Sequence, residues 1–224
     1  MEKRTVTIKR NAIENFMMAV KEYIKHHKKL VLVITAAVVL VAGLVVSGSI
    51  YYEIRSQKEL LAFESIIEKY ETGSHDDASL TEATAALLKI VEGSWWGYPH
   101  KHGYYIIAGM NYQNKRYEEA RGYYLKYVDS SSSVFTPLAL FQAGICSEAL
   151  DQNDKAIEIY SKLEKNYGGT LFNDRILYDL GRVYQKKRDI VQAREYFTKL
   201  MTQYPASPFI SEAKARLFLL GLAK

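Results

Sequence analysis

Apolar positions along the chain follow different rhythms in different stretches. Near the N-terminus, Ile13, Phe16, Met17, Val20 and Ile24 recur at helical spacing with lysines between them, which predicts a short amphipathic helix. Such a helix lies on a membrane surface or forms a solvated lead-in, and spacing alone leaves both open. From Leu30 to Ile50 the pattern changes to 21 residues without a charge. As a helix this run is roughly 30 Å long, the thickness of a bilayer's hydrocarbon core. A buried soluble helix of that length carries a polar stripe, and this one has none, so residues 30–50 are expected to span a membrane. Beyond residue 50 the amphipathic period returns. Leu60, Phe63, Ile67 and Tyr70 mark one face of a helix ending near Gly73. A polar loop leads to a second helix over 80–92, with Thr81 as its expected cap and Gly93 as its stop. No segment sustains two-residue alternation, so the expected fold class is all-α.

Charge sharpens this division. The chain carries a net charge of +5, which taken whole suggests an anionic partner. Yet eight of its 30 Lys+Arg and three of its 25 Asp+Glu lie in residues 1–29, leaving 22 of each sign beyond the span. All the excess sits in the tail, at Lys3, Arg4, Lys9, Arg10, Lys21, Lys25, Lys28 and Lys29, and this argues against a nucleic-acid partner. Lys186, Lys187 and Arg188 look like a basic patch, but they fall where a helix ends, and cations are favourable there. Basic residues before the span, and the Tyr51-Tyr52 pair with more acids than bases after it, place the tail in the cytoplasm and the C-terminal part outside. The alternative is a cleavable signal peptide, with small residues at Ser47–Ser49; the apolar run is longer than such peptides use. Cys146 is the only cysteine, so no intramolecular disulfide can form.

A long-period repeat organises the rest. Gly144, Ala156, Tyr160, Leu163 and Tyr167 recur as Gly181, Ala193, Phe197, Leu200 and Tyr204, every pair 37 residues apart. An earlier copy matches Ala120, Tyr124 and Tyr127 at an offset of 36, and its Gly109-x-x-Tyr112 corresponds to Gly181-x-x-Tyr184 if its inter-helix turn is one residue shorter. Small residues let two antiparallel helices approach, and the aromatics fill the space between units. Each pair buries little alone, so several must stack. Leu177, Gly181, Tyr184, Ala193, Phe197 and Pro205 give nearly the whole pattern of the tetratricopeptide repeat, which this region resembles. In the middle copy Ser147 replaces the aromatic and Gly168 the proline. The expected layout is a basic tail over 1–29, a transmembrane helix over 30–50, a degenerate first helix pair over 51–99, and a repeat array over 100–224 ending in a closing helix.

Catalytic motifs are lacking. The sequence has no phosphate-binding glycine loop, no HExxH, no G-x-S-x-G and no CxxC, and neither an enzyme nor a cofactor is expected. His100 and His102 stand two apart without a third ligand in view, so no metal site is assigned. Trp95 and Trp96 are expected to be packing anchors, and Cys146 a small buried residue.

What the resemblance implies is a binding surface. In tetratricopeptide arrays the first helix of each unit lines a concave groove that holds a protein segment. Carried over, the groove positions are Ile106, Met110 and Gln113, then Phe141, Ile145 and Glu148, then Arg175, Tyr178, Arg182, Gln185 and Lys186. They read as an apolar floor passing into a basic end, suited to a segment with apolar anchors and an acidic end. The closing helix covering several of them is the competing reading. Tail, span and array together are similar to the YfgM-like family of bacterial inner-membrane proteins. That resemblance implies a membrane-anchored scaffold facing the periplasm, single-pass, associated with translocon or chaperones and binding client or partner proteins. A permanent subunit of a larger envelope machine is the alternative, and oligomers fit either.

Overall fold

The structure, a computed structural model, describes residues 12–131, 133–168 and 172–222. The basic residues Lys3, Arg4, Lys9 and Arg10 lie outside the described residues. Among the described residues all regular structure is helical, and the chain divides into two units, Met1–Arg55 and Ser56–Lys224.

The first unit holds α1 (Ala12–His26) and the beginning of α2 (Lys28–Glu71). On α1 the apolar side chains Ile13, Phe16, Met17, Val20 and Ile24 are all exposed. The charge-free part of α2 likewise exposes Leu32, Val33, Val39, Leu44 and Val45. Its few hydroxyls turn back on their own helix. Thr35 donates to the Val31 carbonyl at 2.9 Å and Ser49 to that of Val46 at 2.8 Å, which leaves no polar group unsatisfied at those side chains.

In the second unit α2 ends by burying Phe63 and Tyr70 against Leu80, Leu87 and Val91 of α3 (Asp77–Gly93) and Ile107 of α4 (Gly97–Gln113). Then follow α5 (Tyr117–Ser130), α6 (Thr136–Ala149), α7 (Asn153–Tyr167), α8 (Asn173–Lys186), α9 (Ile190–Gln203) and α10 (Ile210–Leu222). From α3 onward each helix packs on the next, which is the order of a helical solenoid. Helix α3 begins earlier than its sequence suggests. The carboxylate of Asp76 accepts from the Ser79 backbone N–H at 2.7 Å and caps it, whereas Thr81 lies inside the helix and donates to the Asp77 carbonyl.

The turns between paired helices fix the repeat register. Residues 114–116, 150–152 and 187–189 form three turns of equal length. In each the second residue, Lys115, Asp151 or Arg188, takes a positive φ of 59, 55 or 62°. In each the next N–H reaches five residues back: Arg116 to Asn111, Gln152 to Ser147 and Asp189 to Tyr184, at 2.9 to 3.0 Å. This is the Schellman arrangement of a helix C-terminus, repeated with periods of 36 and 37. The first turn is therefore not shortened. The counterpart of Gly144 and Gly181 is Ala108, not Gly109, and the counterpart of Tyr184 and Ser147 is Asn111.

Trp95 and Trp96 do not anchor a core, being 70% and 57% exposed. They stand on the loop between α3 and α4, while Val91, Pro99 and Ile107 of the flanking helices are buried.

Candidate partner-binding face

The turn register decides which side chains share a face. Ten, six and three residues before each left-handed residue stand Tyr105, Gly109 and Tyr112 on α4, Phe141, Ile145 and Glu148 on α6, and Tyr178, Arg182 and Gln185 on α8. Ile106 and Met110 are thus one position off that face. Met110 is buried with Phe63, Leu80 and Leu87, and Ile106 packs on the same cluster. The assignment fails there because the glycine at 109 set the register one residue late. Gln113 is likewise one position past Tyr112, exposed at the end of α4 in the position held by Ala149 and Lys186.

Apolar character is concentrated at the middle of the face. Phe141 and Ile145 on α6 are half-buried, with Tyr105 and Tyr112 on one side and Arg175 and Arg182 on the other. Phe141 stacks on Phe172 at 6.4 Å, and the Arg175 guanidinium lies 5.8 Å from its ring centre.

The basic end is met by the chain's own acids. Arg182 donates to Glu148 at 2.6 Å and to Asp179 at 3.1 Å; Arg175 donates to the other oxygen of Asp179 at 2.7 Å. Burial opposes the charge on Arg182, but Glu148 and Asp179 outweigh it and raise the guanidinium's pKa. Tyr160, inside the α6–α7 pair, donates its hydroxyl to Glu148 at 2.8 Å, and burial followed by that carboxylate pushes the phenol's pKa up. The result is a ladder from α7 through α6 to α8. Charge pairs reach the surface as well: Lys186 lies 3.7 Å from Asp151, and Lys187 pairs with Asp154. Among the described residues, Oε2 of Glu148 is buried without a hydrogen-bond partner.

Helix α10 covers the last positions. Tyr178 stacks on Phe209 with ring centres 5.0 Å apart, and Arg216 donates to the Tyr178 hydroxyl at 3.2 Å and to Gln185 at 2.9 Å. Arg175 sits over Phe209 at 5.1 Å. Tyr178 is consequently buried, and what stays open on this face is the α4–α6 stretch with Lys186 and parts of Arg175 and Arg182. The ladder escaped sequence reasoning because Glu148 and Arg182 are on separate helices; their 34-residue separation, about one repeat, is the signal that could have paired them.

Elsewhere the chemistry is quiet. Cys146 is fully buried, and burial raises its thiol to about 12, so it stays protonated near neutrality. The His102 ring packs 4.8 Å from Tyr98 and 5.9 Å from Phe135, as an aromatic would. Among the described residues no three His, Cys, Asp or Glu side chains gather as metal ligands would.

The tetratricopeptide repeat family model matches residues 138–170 and 175–207, which take in all but the first two residues of the α6/α7 and α8/α9 pairs. Among solved structures, PcrH in complex with the chaperone binding region of PopB superposes with a TM-score of 0.45 at 14% identity, over 56% of this chain and 98% of that one. MamA 41-end from Desulfovibrio magneticus RS-1 gives a TM-score of 0.46 at 18% identity, over 70% of this chain and 96% of that one. No curated protein matches the sequence. The second unit is a helical solenoid whose α6/α7 and α8/α9 pairs match the tetratricopeptide repeat model, and among the described residues one helix, α2, is long and apolar enough to cross a membrane.

Proposed function

We propose that the protein is a membrane-anchored interaction scaffold whose repeat face holds a segment of a partner or client protein. Residues 30–50 serve as the anchor, the tail lies in the cytoplasm, and the repeats face the periplasm, as the basic residues before the span favour. The observation that carries the binding role is the half-open apolar strip of Phe141 and Ile145 inside a tetratricopeptide pair. Because Arg175 and Arg182 already pair with acids, the segment is read by its apolar anchors more than by acidic charge.

A photoreactive residue at Ile145 tests this in intact cells. Adducts with exported proteins, lost when Phe141 is changed to Glu, are the expected result. No adducts at all would remove the binding role, and adducts with cytoplasmic proteins alone would reverse the orientation. One observation favours a second reading, a permanent subunit of a larger envelope assembly. Phe218 and Leu219 stay exposed on α10, an apolar surface that a permanently packed neighbour would cover. A stoichiometric complex surviving detergent extraction would select that reading.

A further inference from the structure

The two ends of the second unit differ sharply in polarity. The turns at 72–76, 114–116, 150–152 and 187–189 lie at one end, here called distal, and among their described residues none is an exposed large hydrophobic. The loops after α3, α5 and α7 lie at the opposite, proximal end and expose Trp95, Trp96, Val134, Phe135 and Phe172, with Tyr98 exposed at the start of α4. Val134 is 88% exposed. Tyr98 and Phe135 belong to one patch, since His102 touches both rings. Together the four aromatics Trp95, Trp96, Tyr98 and Phe135 present on the order of 400 Å² of surface, the size of a monomer's largest apolar patch, which is often functional.

The patch stands where the chain comes in. Ser94 donates to Glu59 at 2.7 Å, and Gly97, at φ +89°, brings its backbone so close to Ser56 that a Cβ would meet that hydroxyl at 3.2 Å. The loop bearing both tryptophans is therefore held against the first residues of the unit. Ser56 is six residues past Ile50, the last residue of the charge-free run, and six residues reach at most about 20 Å whatever their path. Composition agrees: between Glu92 and Glu118 there is no acid, and Lys101 places its ammonium 5.9 Å from the centre of the Trp96 ring.

We propose that this aromatic patch rests in the headgroup layer of the bilayer that residues 30–50 cross, with Lys101 at the lipid phosphates. Trp and Tyr favour that layer because one part of each ring is apolar and the other donates a hydrogen bond. A nearby cation gains from anionic lipid. The aromatics cluster in the loops nearest the point of entry into the unit, while the distal turns, rich in Asp, Asn, Lys and Arg, suit water. The proposal rests on the anchoring reading above.

The chain's own fluorescence tests it, since Trp95 and Trp96 are its only tryptophans. The full chain would be reconstituted into phosphatidylethanolamine–phosphatidylglycerol vesicles, washed at alkaline pH and floated. The expected result is a blue-shifted emission, protected from iodide and lost when the lipids carry bromine high on their acyl chains. Chain that floats but stays iodide-quenched and insensitive to bromine overturns the patch while leaving the anchor intact. Emission protected from iodide yet untouched by bromine assigns the patch to a protein contact and overturns the lipid proposal. Chain stripped from the vesicles by the alkaline wash overturns the anchor, and the proposal with it.

Discussion

At the crossing of α6 and α7 a Cβ on Gly144 would lie 2.2 Å from Cε1 of Tyr160; at the crossing of α4 and α5 a Cβ on Gly109 would meet only the Tyr124 hydroxyl, at 4.0 Å. The α8/α9 crossing follows the first case, with Phe197 2.7 Å from a Cβ on Gly181. In α4 the equivalent position is Ala108, fully buried, so this pair leaves room for a methyl group where the other two admit none. The lesson concerns what the repeat signature encodes. A glycine and an aromatic 16 residues later specify helices in contact over a ring, as at Gly144–Tyr160 and Gly181–Phe197. The α4/α5 pair keeps the turn and the alanine at 120 but not that contact, and it falls outside the family match.

The sharpest way to break the comparison is to add the missing methyl. Gly144→Ala drives a carbon into a ring that is fully buried and tethered through its hydroxyl to Glu148, so the ring cannot swing aside. The expected loss is about 3 kcal/mol, the upper end for overpacking. Gly181→Ala should cost less, about 2 kcal/mol, because its nearest approach is 0.5 Å longer and the Phe197 ring has no hydroxyl to tether it. Urea titration of the detergent-solubilised chain, followed by helical circular dichroism, measures both. Equal stabilities for Gly144→Ala and wild type would mean the pair is looser than the structure has it.

Next in size is the ion ladder, which joins only the two glycine-crossed pairs. Arg182→Met leaves the Glu148 and Asp179 carboxylates, both nearly buried, without their shared cation. Breaking a wholly buried pair costs roughly 3–5 kcal/mol; Arg182 is partly exposed, so about 2 kcal/mol is expected in the same titration. No loss would show that water replaces the guanidinium without penalty.

Much of this was written plainly in the sequence. The face of Leu60, Phe63, Ile67 and Tyr70 packs as its spacing predicts, with Phe63 and Tyr70 buried, because amphipathic period alone specifies a helix's inner side. The repeat was legible from Ala156, Tyr160, Ala193 and Phe197, whose sizes are dictated by the crossing. Register in the first pair was not, since Gly109 imitates the glycine of its neighbours, while the turn that settles the matter uses Lys115, Asp151 and Arg188 in place of the usual glycine. Exposure of Trp95 and Trp96 was hidden as well: an aromatic pair reads the same whether a core or a bilayer receives it. Asp179 stands at helical spacing from both Arg175 and Arg182 and was readable as their partner, whereas Glu148, on α6, meets Arg182 only once the helices are stacked.

The smallest effect carries the opposite sign. Gly109 lies within α4, between Gly97 and Gln113, and its missing side chain would meet nothing closer than 4.0 Å. Glycine in such a place costs the helix backbone entropy that alanine does not. Gly109→Ala is therefore expected to stabilise the chain by about 0.5–1 kcal/mol, while the same change at 144 and 181 destabilises it. A destabilised Gly109→Ala, measured beside the other two, would put position 109 at a tight crossing and restore the shifted register, with Met110 moved from the α2–α4 core to the open face. Stabilisation keeps Ala108 as the crossing residue, and with it the face on which Tyr105, Phe141 and Ile145 lie together.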